Sequence, residues 1–87
     1  MYNIKLEKKI LKFLDKHKGE NIINIFIKAL SILKINPYKN NLDVKLLKGK
    51  NNYYRLRIGK YRFIYEIIEN KLVIIFTNGD TRGDIYK

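Results

Sequence analysis

The apolar positions of this 87-residue chain change period once, and the change divides it into two halves. Over residues 5–16, Leu6, Ile10, Phe13 and Leu14 recur at helical spacing with lysines between them. Lys18-Gly19 ends that helix, since glycine tolerates the left-handed stop. Asn21 can cap a second helix that runs to about Ile35. Asn36-Pro37 ends it, because the residue before a proline avoids the helical region. Ten of the fourteen residues from Ile22 to Ile35 are apolar, which predicts burial on more than one side. The short turn between the two segments predicts an antiparallel helical hairpin. After a polar loop at 36–43 the period becomes two. Residues 44–47, 53–58, 61–68 and 72–77 read as four strands, with turns at 49–52, 59–60 and 69–70. Residues 1–4 can form a short edge strand, and the tail 78–87 has room only for a brief extended piece. No repeat or linker interrupts residues 1–87, so the expectation is one domain. Its class is α+β: two N-terminal helices packed on one face of a four-stranded antiparallel sheet.

One turn fixes more than its own shape. Ile58-Gly59-Lys60-Tyr61 fits a two-residue hairpin loop of type II′, with glycine first. That sets Ile58 opposite Tyr61, Arg57 opposite Arg62, Leu56 opposite Phe63, Arg55 opposite Ile64 and Tyr54 opposite Tyr65. Alternation then sorts the faces. Tyr54, Leu56, Ile58, Tyr61, Phe63 and Tyr65 share the face that the helices should cover. Arg55, Arg57, Arg62 and Ile64 share the other. Arg57 and Arg62 meet with their Cβ atoms roughly 5 Å apart, where like charges repel. A phosphate between them relieves the repulsion, because guanidinium groups grip its oxygens bidentately. Two plainer outcomes stay open: both side chains splay into water, or Glu66 neutralises them.

Composition narrows the chemistry. Nineteen Lys+Arg against eight Asp+Glu give a net charge of +11, a field that favours phosphate-rich partners or anionic membranes. Lysine outnumbers arginine 15 to 4, and all four arginines (Arg55, Arg57, Arg62, Arg82) fall in the last 33 residues. With no cysteine, disulfides, thiolate zinc sites and cysteine nucleophiles are excluded. A lone histidine, His17, makes a histidine metal site or a Ser-His-Asp triad improbable, and its place among lysines at a helix end reads as surface. Asp80 and Asp84 with Glu66 form a weak cation set among arginines, so no metal or cofactor is expected. Nothing resembles a signal peptide, and residues 22–35 are short for a membrane span. A cytoplasmic protein is expected, with no membrane partner. In the extended tail, Arg82, Asp84 and Tyr86 point one way and Ile85 the other. Tyr86 is a candidate base or stacking ring, or else a plug at the sheet edge. The lysines of the first helix are a solvated face or a broad grip on a nucleic-acid backbone.

Leu47-Lys48-Gly49, the run from Tyr53 to Glu66 and Arg82-Gly83-Asp84-Ile85-Tyr86-Lys87 together resemble the RelE/ParE superfamily of toxins from type II toxin–antitoxin modules. The resemblance spans the chain in length and element order and is sharpest over residues 47–66 and 79–87. It implies a microbial RNase-like fold. For the RelE branch it implies a ribosome-dependent mRNA endoribonuclease that needs no metal. There the messenger's own 2′-OH attacks the adjacent phosphate and leaves a 2′,3′-cyclic phosphate. Carried over by position, Arg62 and Arg82 would hold the scissile phosphate. Arg57 and Arg55 would hold the phosphate or flanking backbone, and Tyr86 would stand near the 2′-OH. Lys48, Lys50 and Lys60 would contact RNA. Nearby arginines would depress the Tyr86 phenol. Some relatives have lysines where Arg55 and Arg57 stand, and many have histidine where this chain has Thr81. Arginine effectively cannot deliver a proton, so the general acid falls to Lys48, Lys50, Lys60 or water. The resemblance also implies a cognate antitoxin, with the ribosome and mRNA as further partners. Two alternatives accompany it: a ParE-like inhibitor of DNA gyrase, and a non-catalytic nucleic-acid-binding relative.

Overall fold

Two amphipathic segments and five strands assemble into two layers in a computed structural model, which describes residues 1–81. The order is β1 (Asn3–Leu6), α1 (Lys8–Lys16), α2 (Asn21–Ile35), β2 (Asp43–Leu46), β3 (Tyr53–Ile58), β4 (Tyr61–Ile68) and β5 (Val73–Thr81). The sheet runs β1-β5-β4-β3-β2, with β1 parallel to β5 and every other pair antiparallel. It is therefore a five-stranded mixed sheet, not the four-stranded antiparallel one expected. Leu6 explains the difference. It fits the helical spacing of Ile10 and Phe13, but it also alternates with Tyr2 and Ile4, and all three pack against the core. The strand period wins through residue 6, Glu7 N–H closes the pairing on the Phe76 carbonyl, and α1 starts later than residue 5.

Gly19 takes the left-handed conformation after α1, at φ +85. Glu20, not Asn21, stands at the N-cap of α2, and no side chain caps it. Ile22, Phe26, Ala29 and Leu33 form one buried stripe on α2. The rest of the helix is not buried as its composition predicts: Ile27 is 55% and Ile35 72% exposed. The two-layer fold places the sheet on one side of this helix, so a second apolar side finds no partner within the described residues.

The hairpin register is the expected one at every pair, from Ile58↔Tyr61 to Tyr53↔Glu66. Gly59 carries φ +59 and Lys60 stays at negative φ, as a II′ turn requires. Leu56, Tyr61, Phe63 and Tyr65 are buried under the helices. Phe63 is the centre of that layer, with the Phe26 ring 4.6 Å and the Phe13 ring 5.1 Å from it.

Strand β5 runs four residues past the expected 72–77 because a bulge resets its phase. Tyr65 pairs with Phe76 but Ile64 pairs with Asn78, so Thr77 is the extra residue. Beyond it Gly79 faces the helices, while Asn78 and Asp80 turn to the arginine side. A Cβ on Gly79 would stand 2.9 Å from the Phe63 ring and 3.1 Å from Ile10. Gly79→Ala is therefore expected to destabilise by about 1–3 kcal/mol, the usual range for overpacking, read by urea or thermal unfolding.

Phenols tie down the loop before β2. The Tyr65 hydroxyl donates to the Pro37 carbonyl at 2.9 Å. Tyr2 and Tyr38 both donate to one Glu69 oxygen, Tyr2 at 2.7 Å. Hydrogen bonds from Tyr38 and then Tyr2 hold the Glu69 carboxyl below its ordinary range. Its folded value is the lower one, so the stabilisation is present above the unfolded carboxyl range near about pH 4.3. It is lost as pH falls through the folded value. Glu69→Gln should flatten the acid limb of stability against pH in urea titrations. Tyr38 has the opposite sign. Burial and then the Glu69 hydrogen bond push its phenol up, so its contribution is complete below about pH 10 and lost above it.

Candidate functional site

The sheet face away from the helices carries the cations. Arg57 stands directly opposite Arg62, Arg55 opposite Ile64, and Lys45 of β2 opposite Arg55. A shallow cleft of about 310 Å³ opens there, lined by Lys45, Leu46, Leu47, Lys48, Arg55 and Arg62. Four of those six residues are cationic. Strand β4 supplies Arg62 because its odd residues are committed to the core. Strand β3 supplies Arg55 and Arg57 by the same alternation.

Glu66 does not neutralise this cluster. Asp43, the first residue of β2, stands opposite Arg57. Its Oδ1 accepts from Arg55 Nη2 at 2.7 Å, and its Oδ2 forms an ion pair with Arg57 Nε at 2.8 Å. Glu66 instead accepts from the Tyr53 hydroxyl at 3.3 Å. Burial, then the Glu66 charge, raises the Tyr53 phenol above its ordinary range. Arg62 has no carboxylate within ion-pair distance among the described residues, although Asp80 is its neighbour on β5. The side chain of Arg55 is only 13% exposed and its Nε has no acceptor, whereas Arg57 is 48% exposed.

The expected site residues divide accordingly. Lys48, Arg55 and Arg62 come together in the cleft, with Arg57 beside Arg62 at the hairpin. Lys50 sits on the same face, 5.5 Å above the Tyr53 ring. Lys60 does not join them: its ammonium lies 5.4 Å over Tyr61, whose ring packs on Phe13 and His17 under the helices. Arg82 and Tyr86 lie outside the described residues, as does Asp84. His17 is half-buried rather than free on the surface, with its ring 4.3 Å from Phe13 and Nδ1 3.1 Å from Glu20. Sequence reasoning missed Asp43 and Lys45. Asp43 fell in the expected loop, and only the pairing of β2 with β3 brings it to Arg57. A larger hollow of about 740 Å³ lies between β1, the start of α1 and β5, with Lys5, Lys8 and Lys9 at its rim but no arginine.

A row of guanidinium and ammonium groups on an open sheet can grip the oxygens of a phosphodiester and stabilise charge that grows on phosphorus. Such a surface suits a polyanionic strand better than a small neutral substrate.

Comparison with known proteins bears on this geometry. A family model described as the ParE toxin of the type II toxin–antitoxin system parDE matches residues 4–84. The RelE1 protein of Methanocaldococcus jannaschii is 34% identical over 87 residues, which are 99% of this chain and 96% of the relative. Toxin RelE3 of the same organism is 37% identical over 78 residues, 90% of this chain and 84% of its own. Among solved structures, the archaeal RelE–RelB complex from Pyrococcus horikoshii superposes with a TM-score of 0.81 at 29% identity. That match covers 95% of this chain and 97% of the other.

Proposed function

From the premise that the chain belongs to the RelE/ParE superfamily, as a RelE-like toxin of a type II toxin–antitoxin module, we propose that it cuts messenger RNA on the ribosome. The observation that carries this reading is Arg62, in a cationic cleft opposite Arg57, with no carboxylate partner among the described residues.

In the proposed reaction the ribose 2′-oxygen loses its proton and bonds to the adjacent phosphorus. The P–O5′ bond then breaks, the 5′-oxygen takes a proton, and a 2′,3′-cyclic phosphate remains. Arg62 holds the non-bridging oxygens and stabilises their added charge. Arg82 is assigned the same duty, and Arg57 and Arg55 the phosphate or the flanking backbone. Tyr86 is assigned a place near the 2′-OH, as base or stacking ring. Of Lys48, Lys50 and Lys60, Lys48 is the one that lines the cleft, so the proton for the leaving oxygen is assigned to it. The charge of +11 suits a site walled by ribosomal RNA and makes binding steeply salt-dependent.

The P. horikoshii RelE was solved in complex with RelB. By likeness, this chain is assigned an antitoxin partner. The exposed apolar side of α2 and the groove of about 380 Å³ between it and the open edge of β1, lined by Ile4, Leu6, Ile27 and Leu30, offer that antitoxin a docking place.

Two assays separate the readings. Protein added to a translating extract should produce new messenger ends within codons. Intact messenger with blocked gyrase supercoiling would instead favour a ParE-like activity, and RNA binding with neither effect a non-catalytic relative.

A further inference from the structure

We infer that Asp43 is an internal competitor of the RNA phosphate: it holds Arg57 until a phosphodiester oxygen replaces its carboxylate. The inference rests on the RNA-cutting reading for its ligand, and on the geometry of β2 and β3 for everything else.

One carboxylate bridges two guanidiniums: Oδ1 accepts a hydrogen bond from Arg55 at 2.7 Å, and Oδ2 forms an ion pair with Arg57 at 2.8 Å. A phosphodiester offers the same pattern, two anionic oxygens on one centre. The two arginines are not held alike. Arg55 is 13% exposed and so is pinned under its neighbours, while Arg57 is 48% and Asp43 42% exposed. Exposed ion pairs are weak, so Arg57 can leave Oδ2 while Oδ1 keeps Arg55. The exchange favours the phosphate for a geometric reason. Arg57 stands opposite Arg62, and an anion between those two meets a guanidinium that no carboxylate among the described residues engages. Asp43 is fixed on the β2 side of Arg57, with Arg62 on the β4 side. Arg57 thus chooses between an anion the chain carries and one the substrate brings. Asp43 acts through Arg57 and is a positioning residue.

Asp43→Asn is the discriminating variant. Its side-chain oxygen can still accept from Arg55, but the amide removes the negative charge and turns a donor toward Arg57. Affinity for a short 2′-O-methyl oligoribonucleotide, which cannot be cut, is measured across a salt series. The expected result is binding roughly fivefold tighter at low salt, with the gain shrinking as added salt screens the Asp43 charge. In an Arg57→Ala background the same substitution should give no gain, which a merely structural role for Asp43 does not predict. Unchanged or weaker binding by Asp43→Asn, or an equal gain without Arg57, overturns the inference. Should the variant not fold, the Arg57 Nε–H resonance of the wild-type protein decides. It should move on titration with the oligoribonucleotide, and a fixed Arg57 signal beside a moving Arg62 signal is the contrary result. The two proposals fail separately. Ribosomal cleavage with no Arg57-dependent gain sinks this inference alone, and the gain without cleavage sinks only the proposed activity.

Discussion

Arg62→Ala is expected to lower messenger cleavage by roughly 10²–10³-fold, the usual loss when one preorganised donor to a developing oxyanion is removed. Growth inhibition should disappear with it. The fold should survive, because the side chain points away from the helices and forms no ion pair with the described residues. Its removal even relieves the repulsion with Arg57, so thermal stability should shift by no more than about 0.5 kcal/mol. Arg62→Lys should restore only part of the activity, since an ammonium supplies the charge but not the planar fork. Arg82→Ala, at a position outside the described residues, is expected to abolish toxicity as well. Toxicity of both alanine variants at wild-type expression would overturn the assignment of the site.

Phe63→Ala is expected to be the most damaging core substitution, at about 3–5 kcal/mol. Phe63 is fully buried, flanked by Phe13 and Phe26, and pressed against the backbone of Gly79. For a chain of this size the loss corresponds to a fall in Tm on the order of 15 °C or more, a large share of total stability. The contact with Gly79 makes a coupling testable. In the Phe63→Ala background, Gly79→Ala should lose most of its destabilising effect, because the ring it strikes is gone. Additive effects in urea unfolding would show that the close approach at Gly79 is relaxed elsewhere.

The site was partly legible for a definable reason. A two-residue turn with glycine first leaves one register, and from that register the Arg57–Arg62 pair and both faces of β3 and β4 follow by alternation. The connection from Leu47 to Asn52 is longer and fixes nothing of the kind, so the approach of Asp43 to Arg57 was hidden. The polarity of residues 36–43 places it in a loop, and the hairpin register offers the neutralising role to Glu66. Strand β1 was half seen. Its partner β5 lies some 70 residues along the chain, and a parallel pair separated by two helices and three strands leaves no local signal beyond the alternation of Tyr2, Ile4 and Leu6. The end of β5 was missed because the bulge at Thr77 breaks the alternation that marks a strand. Composition misleads at α2, where apolar content predicts burial and several isoleucines stand in solvent instead.

Arginines that grip a phosphodiester while the RNA supplies its own nucleophile leave a distinctive product. The most direct test is the chemistry of the new 3′ ends, produced by wild-type protein on translated messenger and treated with a nuclease-free cyclic-phosphate ligase or phosphatase. The expected ends carry a 2′,3′-cyclic phosphate and the downstream fragment a free 5′-hydroxyl. Ends bearing a 3′-hydroxyl, with phosphate on the downstream fragment, would contradict it.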